Sequence, residues 1–471
     1  MDFNMPTSPP IDSAFALQFQ NLSVISRGSK RILHKVSGFV KRGGLTAVLG
    51  ASAAGKSVLL QSLSGRIQDL PIEGEILIDG CRVNPKLVGN PVVYVPQEDV
   101  LVGELTPREM TMNTALLTRA EPKAKLRADT NEILQRLMIS NVADSAIGTL
   151  LLRGISGGQK RRTSLATFLI SHPSVLFVDE LTSGLDETIA FEVLSTVRAL
   201  ANTGAISIML TIHQPNVRML ELFDHILILK NGSSLFFGTV PESVQYFENL
   251  GFACPLQVTA TDYFLQISSD AFAESANGFD FVKAFNLSSH RGKYNKILEE
   301  TAKTTDSSAS LLQGPRKEVS RLSQIRTLLY RDFTLAYRDP TLYHLQIFLA
   351  SNFCLVAGMV FFDLPRNVGT DFFAISCGIS WIVCIVSWCA VFKVYHINHN
   401  DKRARHELAN NLYTPFVYFA VDSLSTAILS VAFLPPVLIT FFMMNFPIQA
   451  LPFLLFDMWV VGIKYSYLFD V

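Results

Sequence analysis

Residues Gly50-Ala51-Ser52-Ala53-Ala54-Gly55-Lys56-Ser57 have the spacing G-x-x-x-x-G-K-S, and these residue types suit a phosphate chain. A loop of this kind turns its backbone N–H groups around an anion, and the positive end of the following helix faces the same charge. Lys56 is placed to reach the β- and γ-phosphates, and the Ser57 hydroxyl to ligate Mg²⁺. Val58 follows in the first helical turn. Farther along, the apolar run Val175-Leu176-Phe177-Val178 ends in Asp179-Glu180. A carboxylate at the end of a buried strand can hold a divalent cation, and its neighbour can polarise an attacking water as general base. Ser156-Gly157-Gly158-Gln159 opens a helix and offers a second anion cradle at its N-terminus.

These residues need a scaffold that brings strand ends and helix starts together. Leu45–Leu49 reads as a buried strand before the loop and Ser57–Leu63 as a helix after it. Val92–Val95, Val175–Val178, Ile206–Leu210 and Ile226–Leu229 are further candidate strands. Short β-branched runs alternate with helical patterns from about residue 15 to 286, as in α/β domains. A helical insert is expected at about 104–172, and residues 1–14 read as a disordered leader. The polar stretch 287–319 reads as a linker. Residues 320–340 fit an amphipathic connecting helix, with Arg321, Arg326 and Arg331 on or near its polar side.

Beyond that helix the composition changes. The 471-residue chain has a formal net charge of +0 and only 17% charged residues, and its mean hydropathy is +0.30. The balanced charge points to no nucleic-acid partner. The excess apolarity lies mostly after Thr341. Segments 341–362 and 372–392 lack Asp, Glu, Lys and Arg, and each is long enough to span a bilayer. A third span is expected at about 416–446, interrupted by prolines, and the start of a fourth at about 450–471. Arg331 and Arg338 precede the first span, and Lys393, Lys402, Arg403 and Arg405 follow the second. Two crossings between basic clusters satisfy the positive-inside rule, with the N-terminal half in the cytosol. The start of the chain has no apolar run of the secretory kind. None of the six cysteines forms a C-x-x-C pair, so buried free thiols are expected.

The ordered series of motifs resembles the ATP-binding cassette family, whose signature is L-S-G-G-Q. The fold expected from that resemblance is an α/β P-loop NTPase cassette with a helical subdomain, followed by an all-α transmembrane domain. The resemblance implies ATP and Mg²⁺ as ligands, with Gly50, Ala51, Ser52, Ala53, Ala54, Gly55, Lys56, Ser57 and Val58 around the phosphates. It also implies that Ser156, Gly157, Gly158 and Gln159 serve the nucleotide of a second cassette. Gln97, in Tyr94-Val95-Pro96-Gln97-Glu98, looks like the Q-loop glutamine, which contacts the metal and relays nucleotide state. Ser183-Gly184-Leu185-Asp186 looks like the D-loop. His213, in Thr211-Ile212-His213-Gln214-Pro215, looks like the switch histidine. The implied metal set is Ser57, Gln97 and Asp179, and the implied catalytic set is Glu180, His213 and Gln97.

A cassette placed before the spans resembles subfamily G, the half-transporters related to the White protein. Ile212-His213-Gln214-Pro215, Arg338-Asp339-Pro340 and the spacing of Glu407, Tyr413 and Tyr418 support that match. The resemblance implies a homo- or heterodimer of half-transporters in a plasma or internal membrane. Its substrate would be a hydrophobic small molecule, sterol or lipid. Several positions depart from the family pattern. Ala53 and Ala54 replace frequent glycines, Leu181 replaces a proline, and His406 replaces the arginine before the glutamate. Val24 stands where many cassettes place an adenine-stacking ring, so base stacking is expected to be weak unless Phe19 or another ring substitutes. Three or four spans are expected where the subfamily has six. The second reading is therefore a membrane-anchored ATPase that regulates or assembles with a longer partner.

Overall fold

Two sheets build the N-terminal half. Strands β1 (Phe15–Ile25), β2 (Arg31–Lys41), β4 (Ile72–Ile78) and β5 (Cys81–Val83) form an antiparallel sheet in the order β2-β1-β4-β5. The second sheet has the order β10-β9-β3-β8-β7-β6. Its strands are β3 (Leu45–Gly50), β6 (Val92–Val95), β7 (Val175–Val178), β8 (Ser207–Thr211), β9 (His225–Lys230) and β10 (Ser233–Gly238). All neighbours in it are parallel except β10 with β9. The computed structural model describes residues 15–67, 69–84, 92–98, 100–149, 152–255, 258–269, 279–305, 319–338, 344–363, 376–378, 380–381, 403–431, 434–446, 449 and 452.

β3, β6, β7 and β8 are buried at every residue. Parallel strands covered on both faces need such unbroken apolar runs. Register decides what gathers at their carboxyl ends. Val48 pairs with Thr211, Val178 with Leu210, and Val95 with Val178. The phosphate loop after β3, Thr211, Asp179-Glu180 and Gln97 therefore line one edge of one sheet. That edge is where open α/β sheets bind ligands.

The helices are α1 (Lys56–Leu63), α2 (Pro107–Thr118), α3 (Lys123–Arg136), α4 (Gly157–Leu169), α5 (Glu187–Ala201), α6 (Val217–Leu220), α7 (Val240–Asn249), α8 (Ala260–Ser268), α9 (Phe281–Leu287) and α10 (Ser289–Thr305). α10 corrects the expectation of a linker over 287–319. Its composition is polar, but Tyr294 and Leu298, one turn apart, are buried. His290 stacks on Phe236 of β10 with ring centroids 4.9 Å apart. A few apolar anchors at helical spacing are enough to dock a polar helix.

After α10 come α11 (Arg321–Arg338), α12 (Leu345–Val360), α13 (Pro415–Ser430) and α14 (Leu434–Met443). A short helical stretch covers 403–409. Arg331 does not lie on the solvent side of α11, as its spacing suggested. It is buried and pairs with Glu407 at 2.7 Å. Among the described residues no helix is long and apolar enough to cross a membrane. The first expected span is the 16-residue α12 here. Most of the 372–392 and 450–471 segments lies outside the described residues. The third is split between α13 and α14, with Pro435 and Pro436 in the first turn of α14. Proline lacks an N–H and clashes with the preceding turn, so it starts a helix where it cannot continue one.

Candidate active site

The phosphate loop bends through Ala53 at φ 62 and Gly55 at φ 99 into α1. Gly55 is the N-cap, no side chain caps the helix, and its first turn holds no acidic residue. The first-turn N–H groups are thus left to a ligand, as an anion site requires. Lys56 is 6% exposed. Its ammonium donates to Gly50 O at 2.9 Å and Ala51 O at 3.0 Å, inside the loop. Burial pulls its pKa below the ordinary lysine range, and Glu180 and Asp179 offset part of that. Ala54 does not crowd the loop: its side chain is buried in the core. Ala53 is exposed, but it takes a left-handed backbone that disfavours a Cβ.

Asp179 is 3% exposed and gripped on both oxygens. Thr211 Oγ1 donates to Oδ1 at 2.6 Å, and the Tyr94 hydroxyl donates to Oδ2 at 3.0 Å. Thr211 Oγ1 also accepts from Glu180 N at 2.7 Å, so one hydroxyl sets both members of the carboxylate pair. Glu180 lies at φ 47, half-buried, and its Oε2 accepts from Gln97 Nε2 at 2.6 Å. The general-base and Q-loop candidates therefore touch. Burial, together with the charge of nearby Asp179, pushes the Tyr94 phenol above its ordinary range.

Arg161 has no place in the sequence motifs, yet it joins them. It is 3% exposed. Its guanidinium donates to Pro96 O (2.9 Å), Gln97 O (3.3 Å), Asp179 O (2.7 Å), Glu180 O (3.2 Å) and Leu181 O (3.4 Å). One side chain from α4 thus fixes the backbone on both sides of the Gln97–Glu180 contact. The signal was present: Gly158, Arg161 and Leu165 share one face of α4, and all three are buried. Leu181, at the proline position, is itself in the core.

Ser156 is the N-cap of α4. Its N–H donates to Gln159 Oε1 at 2.9 Å, and its hydroxyl accepts from Gln159 N at 3.4 Å, a capping box. Gln159 thus braces the helix start. Gly158 lets α4 approach α5 closely, since a Cβ there would lie 2.5 Å from Ile189 Cγ2. Ser156 and Gly157 are exposed. Asp186 caps α5 by accepting from Ile189 N at 2.9 Å. His213 is exposed just past β8. Among the described residues no hydrogen bond ties Ser156 or His213 to the Gln97–Asp179–Glu180 cluster. Val24 and Phe19 are fully buried in β1, so neither presents a surface to a base. β1 is buried along most of its length, and its register shifts between Phe19 and Val24.

A Mg²⁺ ion fits this donor set. It commonly takes one or two carboxylates together with substrate phosphates and waters, rather than an all-protein cage. Among the described residues no group of three or more His, Cys, Asp and Glu is placed for a metal.

Polar contacts join this cassette to the later helices beside shared apolar clusters, one holding Leu117 with Leu328 and Val417 and another Met110 with Leu335. Arg338 of α11 pairs with Glu109 of α2 at 2.7 Å, while Gln324 donates to Leu117 O and Leu412 O at 3.3 and 3.4 Å. Glu407 accepts from Arg331 and from the Tyr413 hydroxyl, each at 2.7 Å. Burial would raise Glu407, but Arg331 and Arg403 hold it below the ordinary carboxylate range. The cation absent at His406 is thus supplied by Arg331 and, one turn back, by Arg403.

The ABC transporter family matches residues 33–183, and the ABC-2 type transporter family matches 323–469. A second ABC-2 type transporter family matches 213–304. ABC transporter G family member 11 of Arabidopsis thaliana is 30% identical over 463 residues, covering 89% of this chain and 63% of its own. The chain belongs to the G-type ATP-binding cassette transporters. Within that family the ABC transporter ATP-binding protein/permease wht-1 of Caenorhabditis elegans is 31% identical over 76% of this chain and 55% of its own. The broad substrate specificity ATP-binding cassette transporter ABCG2 of Bos taurus is 31% identical over 72% of this chain and 55% of its own. The chain thus spans between 55% and 63% of the lengths of these relatives. As a G-type transporter chain it combines a nucleotide-binding cassette with an ABC-2 membrane region.

Proposed function

We propose that this chain is the ATP-hydrolysing subunit of an exporter, working as one of two cassette-bearing chains. The observation that carries the reading is the joining of Gln97, Asp179 and Glu180 at the carboxyl edge of the sheet that ends in the phosphate loop. Lys56 and the first-turn N–H groups of α1 bind the phosphates of ATP. Ser57, Asp179 and Gln97 hold Mg²⁺, which when bound neutralises charge on the transferring phosphate. Glu180 orients and deprotonates the attacking water. His213 faces the γ-phosphate, and exposed Ser156 and Gly157 reach the nucleotide of the partner chain, identical or related. Differential affinity of ATP for the closed and open pair drives the cycle.

The spans at 341–362, 372–392 and 416–446 cross the bilayer, with the cassette in the cytosol. α12 leaves Phe348, Met359 and Val360 more than half exposed, a surface suited to lipid. The cargo is a hydrophobic or amphipathic small molecule, sterol or lipid. The test is ATP turnover by the chain in lipid nanodiscs, with Lys56→Ala and Glu180→Gln as variants. Nucleotide binding lost in the first and kept without turnover in the second is expected. Undiminished turnover in Glu180→Gln removes it from the mechanism.

A further inference from the structure

The C-terminal end of α1 holds Arg66 in a fixed position. Gly65 takes φ 73, a conformation glycine adopts without strain, and Arg66 N donates back to Gln61 O at 2.8 Å. The Arg66 backbone is thereby locked to the helix whose first turn faces the phosphate loop. Its guanidinium lies over the Tyr94 ring, 5.5 Å from the centroid, within cation–π range. Arg66 Nη2 also donates to Asn410 Oδ1, just past the 403–409 helical stretch. Asn410 meets the His406 ring at 3.4 Å, and His406 packs edge-on against Phe168 of α4 at 5.4 Å. Tyr94 is 6% exposed, with its hydroxyl on Asp179. A continuous path runs from Asp179 through Tyr94 and Arg66 to Asn410.

We propose that Tyr94 and Arg66 are positioning residues that pass the state of the nucleotide site to the 403–413 segment, on a route parallel to that of Gln97. The proposal rests on reading this chain as an ATP-driven transporter. Two inputs meet at Arg66. One is the displacement of α1, to which its backbone is locked. The other is the tilt of the Tyr94 ring, set by a hydroxyl tied to Asp179. A phenol is rigid, so movement of the carboxylate at one end moves the ring face at the other. A guanidinium can stack on that face and donate to Asn410 at the same time; an ammonium cannot do both in one plane. Burial lowers Arg66 to about 10, which leaves it cationic at neutral pH.

The experiment is hydrogen–deuterium exchange of the full chain in nanodiscs, with and without ATP and Mg²⁺, in a Glu180→Gln background. A fluorescent ATP analogue measures binding separately. ATP is expected to change exchange across 403–413 by about threefold or more. Arg66→Met and Asn410→Ala are expected to keep analogue binding and lose most of that response, with Arg66→Lys regaining part of it. Tyr94→Phe keeps the ring under Arg66 but cuts the tie to Asp179. Its response should also fall, and its effect should not add to that of Arg66→Met. A full response in Arg66→Met and Asn410→Ala overturns the proposal. So does a parent chain that binds ATP without any change over 403–413. If Arg66→Met does not fold, half-exposed Asn410→Ala and Tyr94→Phe decide alone. A parent chain that binds no nucleotide sinks the transporter reading instead, before any of these variants is compared.

Discussion

Gln97 Nε2 donates to Glu180 Oε2 at 2.6 Å, which places the Q-loop amide on the carboxylate proposed to activate water. The contact ties the loop between β6 and α2 to the turn that follows β7. Glu180→Gln preserves the size of the side chain and can still meet Gln97, but it removes the base. Turnover is expected to fall by about 10²–10⁴-fold with ATP affinity retained. Single-turnover kinetics with equilibrium binding separates the two effects, and loss of binding alongside turnover counts against the assignment.

Arg161 braces that contact from behind. Its buried guanidinium satisfies carbonyls on the Gln97 loop and on the Asp179–Leu181 turn. Arg161→Met keeps much of the stem but strands those acceptors. A stability loss of about 2–4 kcal/mol is expected, since several buried acceptors lose a charged donor. The fall in kcat should exceed any rise in KM, because the base and not the phosphate loop is misplaced. Calorimetry and steady-state kinetics read both. An unchanged melting temperature would show that water replaces the guanidinium without cost.

How much of this was legible before the fold is best judged from particular residues. Gly50–Ser57, Asp179 and Glu180 were proposed from spacing along the chain and from a strand end, both visible in sequence, and Gln97 from the resemblance to cassette proteins. Arg161, Tyr94, Thr211 and Arg66 were not, because their roles arise from contacts between segments far apart in the chain. Arg161 sits in a run of three cations, and only its spacing from Gly158 and Leu165 marks it as inward-facing. The placement of Arg331 failed for the reverse reason: its burial depends on Glu407, 76 positions away. Val24 and Phe19 lie in a strand buried along most of its length, and α10 docks on two buried side chains that polar composition concealed.

Ala53 offers a gain of stability. It adopts φ 62 on an exposed turn, where a Cβ costs roughly 1 kcal/mol and glycine pays no such penalty. Ala53→Gly is expected to raise stability by up to about 1 kcal/mol, after the greater freedom of glycine in the unfolded chain is subtracted. It also relaxes the loop around phosphate, so ATP affinity should rise or stay level. Thermal shift with and without ATP checks both, and a weaker affinity counts against strain in the loop.

His225 predicts a pH response. It is 4% exposed between Phe39 and Phe237, at centroid distances of 5.0 and 5.8 Å. Burial, helped by Lys41, lowers its pKa from 6.5 to about 4. A depressed folded pKa means that the unfolded chain binds the proton more readily. Stability is therefore full above pH 6.5 and falls as pH drops from there toward about 4. His406, lowered to about 4 mainly by burial, acts in the same window. Melting temperatures should decline from pH 7.5 to about 5, and His225→Phe should flatten part of that decline. An equal slope in the variant removes His225 as a source.

Glu407 gives the sharpest test of how α11 is held against the 403–413 segment. Arg331 and Tyr413 satisfy its two oxygens at 2.7 Å each, and the Arg331 and Glu407 side chains are 6% and 9% exposed. Removing one partner of a buried pair strands the other charge, which costs about 3–5 kcal/mol. Glu407→Gln is expected to destabilise the chain by an amount near that range, reduced where the amide still accepts from Tyr413. Replacing both partners, Arg331→Met with Glu407→Leu, should recover part of the loss, because that pair goes together while Arg403, 4.0 Å from Glu407 and buried, keeps one charge without its carboxylate. If the pair serves only to hold α11 against the 403–413 segment, the double variant should hydrolyse ATP at close to the parent rate. If its charges also transmit nucleotide state, that part of the stability should return while the exchange response of 403–413 to ATP does not.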